Sequence, residues 1–298
     1  MLPGRQPSER DQTMRLTFLA PALLLIAVFI YWPLIYTFVL AFHQWNLTSS
    51  EMRFVGLTNF SGLLDSPIFD AALKNTAIYI VGSIPLKVLF PLFIALAIWV
   101  VSPRRGIVYK SAIFLPTLMS FVVVSLLWMW LLNPLVGIGN SVMAMLGLRL
   151  PPLLSSPDTA LWTILAISAW KIMGFNMLLY LAGLASVNRD QIEAMRLDGA
   201  GDVALFRYLI WPTLSPTTFF VLIVTVIFSI QQVFTPIDIL THGGPSNSTT
   251  NLFYMVYQYA FQSFNIGYGA AGTVLIFAII FVVTAVKMRI LESRVHYQ

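Results

Sequence analysis

Six long apolar runs limit this chain more than any other feature. They fall at about 16–42, 72–101, 111–132, 160–185, 215–240 and 268–288. Each approaches or exceeds the roughly 20 residues that an α-helix needs to cross the ~30 Å hydrocarbon core of a bilayer. Lipid offers no partner for a backbone N–H or C=O, so a spanning segment must satisfy its own hydrogen bonds, as a helix does. The runs predict an all-α membrane protein with six transmembrane helices. Composition agrees, with 58% hydrophobic and only 10% charged residues. The first run is too long for a signal-peptide core and lacks a small-residue cleavage site, so it is kept as a span.

An even number of spans returns both termini to one side. Arg5, Arg10, Arg15, Arg104, Arg105, Lys110, Arg189, Arg196, Arg207, Lys287, Arg289 and Arg294 all fall in segments facing that side. The opposite segments hold only Arg53, Arg149 and, at a helix end, Lys74. The positive-inside rule makes the first side cytoplasmic. The net charge of +5 is thereby explained by topology and calls for no nucleic acid. The expected organisation is a cytoplasmic tail (1–15), a first transmembrane helix with its outer loop (16–71), a main transmembrane domain (72–288) and a second cytoplasmic tail (289–298).

One polar island interrupts the main domain at 186–217. Seven charged residues lie between Arg189 and Arg207. Asp190 and Glu193 have the spacing of a helix cap, Gly199 and Gly201 suit a sharp turn, and Asp202 can cap a second short helix ending before Pro212. A helix-turn-helix hairpin outside the bilayer is expected.

Within it, Glu193-Ala194-Met195-x-x-Asp198-Gly199-Ala200, followed by Phe206, Leu209, Pro212 and Pro216, resembles the coupling-loop signature of ABC importer permeases. Met195 replaces the alanine usual in that family. The resemblance implies the type I importer permease fold and a loop that docks into a cytoplasmic ATPase. Glu193, Ala194, Arg196, Asp198, Gly199 and Ala200 would be the coupling residues. It also implies a second permease subunit as heterodimer partner, two ATPase protomers that bind ATP and Mg, and an extracytoplasmic solute-binding protein. The setting would be the bacterial inner membrane.

Phe54-Val55-Gly56-Leu57-x-Asn59-Phe60 and Thr241-x-Gly243-Gly244-Pro245 are similar to outer-loop motifs of the sugar-type branch. So is Tyr257-Gln258 with Gly267-Tyr268-Gly269-Ala270-Ala271. Gly267/Ala271 and Gly269/Thr273 are small pairs suited to close helix packing. Tyr254, Tyr257, Tyr259, Phe261 and Phe264 suit an interfacial helix within 250–267. The ending Arg289-x-Leu291-Glu292-Ser293-Arg294-Val295-x-Tyr297-Gln298 resembles the first permease subunit of glycerol-3-phosphate importers. That resemblance makes glycerol-3-phosphate or a glycerophosphodiester the first expectation. A neutral di- or oligosaccharide such as maltose or trehalose is the second, and a self-contained channel or intramembrane enzyme the most remote.

Polar residues inside apolar runs are costly and must face protein or water. Lys171 precedes Asn176 and Tyr180 in one run, and a shared face would make the three line a polar path. Lys171 either attracts an anionic group there or extends to the outer interface or a partner chain. Lys87, between Pro85 and Pro91, is expected to be structural in an irregular stretch. Gln231 and Gln232 are either substrate contacts or interhelical hydrogen-bonding groups. Asp238, near the outer end, reads as a loop or docking residue.

No cofactor site is expected in this chain itself. Cysteine is absent, and His43, His242 and His296 are far apart and form no ligand motif, so no metal is expected. The phosphate-binding loop Gly-x-x-x-x-Gly-Lys-Ser/Thr does not occur, nor do His-Glu-x-x-His and Gly-x-Ser-x-Gly. The chain is read as a transport subunit with no catalytic residues.

Overall fold

The computed structural model describes residues 9–49, 51–100 and 103–292, with side chains described for 18–49, 51–100 and 106–282. Residues 1–8 of the N-terminal tail, with Arg5, and residues 293–298, with Arg294, lie outside the described residues.

The described chain is almost wholly helical. In order it forms α1 (Phe18–Ala41), a two-stranded ribbon of β1 (His43–Gln44) and β2 (Arg53–Phe54), α2 (Thr58–Leu64) and α3 (Pro67–Trp99). Next come α4 (Gly106–Leu118) and α5 (Phe121–Leu131), then α6 (Ile138–Met145) and α7 (Pro157–Ala185). The chain ends with α8 (Arg189–Leu197), α9 (Asp202–Leu240), α10 (Leu252–Tyr257) and α11 (Ile266–Val282, the apolar part of a helix running to Glu292). Four of these, α1, α3, α7 and α9, are long and apolar enough to cross a membrane singly, and the pair α4–α5 makes a fifth candidate.

That pair departs from expectation. The run 111–132 is not one straight helix but two, bent by 97°. Pro116 lies in a tight 3₁₀ turn, Leu115–Leu118. Ser120 then starts α5 afresh, its hydroxyl accepting from the Val123 N–H at 3.2 Å. A proline that removes a helical donor and a serine that caps a new helix favour a corner.

The chain divides into two compact units. The first combines the residues up to Asp65 with those from Val256 onward. Its described part holds α1, the β-ribbon, α2 and α11. Asn59 is its key polar residue. The side chain is buried, and its Nδ2 donates at 2.9 Å to the carbonyls of both Ala41 and His43. Gly56, at φ +58, provides the left-handed turn before α2. Gly267 allows close approach, since a Cβ there would collide with the His43 carbonyl and the Asn59 amide. A Cβ at Gly269 would meet Ala260, and Ala271 is fully buried, so the small residues do sit at tight contacts. Asn59→Leu is expected to leave two carbonyls unpaired and to destabilise the fold by about 2 kcal/mol or more. A thermal melt of the purified protein in detergent checks this, and an unchanged melting temperature contradicts it.

The second unit, Ser66–Met255, is built on α3, α7 and α9. Each contributes one apolar stripe at helical spacing. The stripes are Val88, Leu92, Ala95 and Ile98; Met177, Tyr180 and Leu184, with Val187 just beyond; and Ile210, Leu214 and Val221. Glycine lets backbones meet. A Cβ at Gly183 would lie 2.7 Å from Thr217 Oγ1, and one at Gly174 would lie 2.5 Å from the Ile113 carbonyl oxygen. Outward faces remain apolar, with Phe93, Val81, Phe220 and Ile227 exposed, as lipid requires of a spanning helix.

At one end of this unit the turn cluster 242–250 is tied down by hydrogen bonds. His242, Gly243, Ser246 and Asn247 have positive φ, and Gly244–Pro245 is cis. Asn75 Nδ2 donates at 2.9 Å to the Asn247 and Thr250 carbonyls, and the Tyr79 hydroxyl donates to that of Thr249. Asp238 accepts at 3.2 Å from the Tyr254 hydroxyl. Tyr254 is fully buried, so the expected interfacial set loses this member, while Phe261 and Phe264 remain exposed.

Candidate functional site

The hairpin between α7 and α9 forms as its polar and glycine residues dictate, with two corrections. The cap of α8 is Asn188, not Asp190: its Oδ1 accepts from the Asp190 N–H at 2.8 Å. Asp190 instead occupies the first turn, where a carboxylate complements the helix dipole. At the other end Gly199 takes φ +82. Its N–H donates to the Arg196 carbonyl at 3.1 Å, and the Ala200 N–H donates to that of Met195 at 2.9 Å. Those two bonds, around a left-handed glycine, form a Schellman closure.

The second correction concerns the hairpin's other arm. No short helix ends before Pro212. Gly201 takes the cap position, Asp202 is the first helical residue, and the helix runs on into the membrane-spanning part of α9. Phe206–Ile210 forms a π turn, in which the Trp211 N–H reaches back to the Phe206 carbonyl. The wider turn shifts the hydrogen-bond register just before Pro212, which has no N–H to donate. Pro216 is likewise carried inside the helix.

The hairpin's helix has no buried residue. Glu193, Ala194, Arg196, Asp198 and Gly199 are exposed, and Met195 and Ala200 half-exposed. Leu197 is 89% exposed and Val203 81%. Only Val187 and Leu205, at the two feet, are buried. Arg196 reaches Asp202 at 3.5 Å, with both side chains in solvent, so that pair contributes little stability. The result is a stiff, closed loop that presents a small polar and apolar surface outward.

The intramembrane polar residues separate into two groups. At about 100° per residue Lys171 and Tyr180 lie on opposite faces of α7, and no single path joins Lys171, Asn176 and Tyr180. Lys171 faces α4 and α5: its Nζ donates to the Thr117 carbonyl at 3.3 Å and lies 4.5 Å from the Phe121 ring centre. Thr117 Oγ1 donates back to the Lys171 carbonyl at 2.8 Å. Asn176 faces the opposite side, donating from Nδ2 to the Lys87 carbonyl and to Thr225 Oγ1. Tyr180 turns its hydroxyl towards that of Thr218. Ser229 Oγ lies 2.7 Å from Ser83 Oγ and 2.7 Å from the Thr225 carbonyl. A buried polar seam thus runs between α3, α7 and α9. Sequence reading missed Ser83 and Thr225 there; the signal was the i, i+4 pairing of Ser83 with Lys87 and of Thr225 with Ser229.

Gln231 and Gln232 are not in mid-helix. Gln231 ends the run Trp211–Gln231 and is exposed, and Gln232 caps it before the helix restarts at Phe234.

Several apolar helices of spanning length, with an exposed hairpin between two of them, define a multi-pass membrane protein. Residues 61–297 match the family described as binding-protein-dependent transport system inner membrane component, and the chain belongs to that family, the permeases of ABC importers. It is 32% identical to the sn-glycerol-3-phosphate transport system permease protein UgpA of Agrobacterium fabrum, over 93% of this chain and 94% of that one. It is 34% identical to the UgpA of Rhizobium meliloti, over 93% and 94%, and 33% identical to a probable ABC transporter permease protein of Pyrococcus horikoshii, over 89% and 91%. The fold matches, at a TM-score of 0.81 and 24% identity, a chain of a bacterial ABC transporter involved in the import of the acidic polysaccharide alginate. That match covers 94% of this chain and 96% of that one.

Proposed function

We propose that this chain forms half of the translocation pathway of an ATP-driven importer for glycerol-3-phosphate or a glycerophosphodiester. It has six spans in the inner membrane, and both termini and the hairpin face the cytoplasm. The main transmembrane domain is 72–288, between the first span and the C-terminal tail. A second permease chain completes the pathway, two ATPase protomers bind ATP and Mg, and a solute-binding protein delivers the substrate. The exposed hairpin carries this reading: its Asn188 cap, Schellman closure and outward face suit a part that seats in another protein. Glu193, Ala194, Arg196, Asp198, Gly199 and Ala200 are its coupling residues. Closure of the ATPase pair draws the two hairpins together and turns the pathway outward. Lys171, Asn176, Tyr180, Gln231 and Gln232 are the candidates for contact with the substrate, at separate points and not along one shared face of α7. The substrate rests on the C-terminal resemblance and on relatives named as sn-glycerol-3-phosphate permeases.

The test is ATP hydrolysis by the chain assembled with its partner permease, ATPase and binding protein, against glycerol-3-phosphate, glycerophosphocholine, maltose and trehalose. Stimulation by the phosphate compounds alone is expected. Stimulation by the disaccharides alone moves the protein to the sugar branch, and no stable complex with an ATPase overturns the importer reading.

A further inference from the structure

Of the two intramembrane lysines, Lys87 is the one left unmatched. It is fully buried, and its ammonium has no hydrogen-bond partner among the described residues. Lys171, by contrast, has the Thr117 carbonyl and the Phe121 ring. A buried ammonium without a counter-charge is strongly unfavourable. The acidic residues of α3, α7 and α9 cannot supply one, because Asp70, Asp158, Asp202 and Asp238 all lie near the helix ends.

The backbone of Lys87 belongs to a built polar seam. It sits in the π turn Ile84–Leu89 of α3, and such turns often mark functional sites. Its carbonyl is held by Asn176, whose Oδ1 is itself buried without a partner. Ser83, Thr225 and Ser229, all buried, continue the seam as one hydrogen-bonded group. An unpartnered cation and an unpartnered amide oxygen on adjoining helices suit an anion that also carries hydroxyl groups, because an ammonium binds phosphate or carboxylate as a point charge and amides bind polyol hydroxyls.

We propose that Lys87 binds the anionic group of the solute in transit, and that the seam between α3, α7 and α9 opens to uncover it during the transport cycle. This inference rests on the anionic-substrate reading above and names the residue of this chain that selects for the charge. It also separates function from stability. Methionine has a similar volume and no charge to bury, so Lys87→Met should fold at least as well as the natural chain while transporting poorly.

The chain contains no cysteine, so Lys87→Cys, assembled with cysteine-free partner chains, has a single reactive thiol. Uptake of glycerol-3-phosphate into proteoliposomes is expected to fall at least ~10-fold in Lys87→Met and Lys87→Cys, the scale of one lost charge-assisted hydrogen bond. The melting temperature of Lys87→Met should stay the same or rise. Treating Lys87→Cys with 2-aminoethyl methanethiosulfonate during turnover restores an ammonium and should restore uptake, whereas the methyl reagent should not. Wild-type uptake by Lys87→Met overturns the proposal, as does equal rescue by both reagents. If the natural complex transports disaccharides but no anionic solute, the substrate reading fails and the inference falls with it. Normal anion transport by the natural complex and the methionine variant alike sinks only the inference.

Discussion

Gly199→Val is expected to abolish most ATP-driven uptake while leaving the membrane-spanning part intact. Gly199 has φ +82 and open space around its Cα, so the difficulty is conformational and not steric crowding by neighbours. A β-branched residue in the left-handed region is strained by more than the ~1–2 kcal/mol that an ordinary L-residue incurs there. The hairpin escapes that strain by breaking the two closing bonds to the Arg196 and Met195 carbonyls. Its tip then loses the shape that the proposed ATPase contact needs. Uptake should fall at least ~10-fold, because about 1.4 kcal/mol of coupling free energy is worth a factor of ten. The melting temperature should barely move, since α8 has no buried residue. Gly199→Asn, which tolerates the same φ, should retain most of the activity. Full uptake by the valine variant contradicts the coupling role.

Gly174→Leu is expected to have the largest effect on stability. Even a Cβ at this position lies 2.5 Å from the Ile113 carbonyl oxygen and 2.6 Å from Phe114 Cα. Both are backbone atoms of α4, so no side chain can swing aside and the helices must separate. Overpacking of this kind destabilises by about 1–3 kcal/mol or more. Separation also breaks the hydrogen bonds between Thr117 and Lys171 on the same face. The melt should shift down by several degrees, or the protein should fail to survive detergent extraction. Gly106→Ala is the control, because its Cβ meets Ile98 at an ordinary 3.7 Å. Similar melts for the two variants remove the argument for close α4–α7 packing.

Four of the expected spans were legible as single long helices, and a fifth as a bent pair, because apolar content adds up over twenty residues. The hairpin was legible because a left-handed turn needs a residue like Gly199. Local signals with two outcomes were not. Pro116 and Pro212 both look like stops, yet the first sits at a 97° corner and the second within a continuous helix. What separates them is neighbouring backbone: a fresh serine cap at Ser120 and a π turn before Pro212. Asn188 was overlooked as the cap because Asp190 and Glu193 had the more familiar spacing. The lysines show a further limit. Both lie within apolar runs, but which one finds a partner depends on which helix it faces. That is decided by tertiary packing, which brings Thr117 and Phe121 to Lys171 but, among the described residues, no hydrogen-bond partner to the Lys87 Nζ.

At 39 residues α9 is about 58 Å long, nearly twice the thickness of the hydrocarbon core. Its first turn belongs to the hairpin, and its last residues reach the tied-down loop at 242–250. No flexible linker lies between. In the proposed coupling role the helix would act as a pushrod, with a displacement at Asp202 absorbed at its irregular points: the π turn at Phe206–Ile210, the prolines Pro212 and Pro216, and the break at Gln232–Val233. Beyond Pro216 the helix is regular up to Gln231, so Thr225 and Ser229 would travel with that stretch. On that proposal, stiffening or loosening any of these points should change how far the buried polar seam moves for a given push.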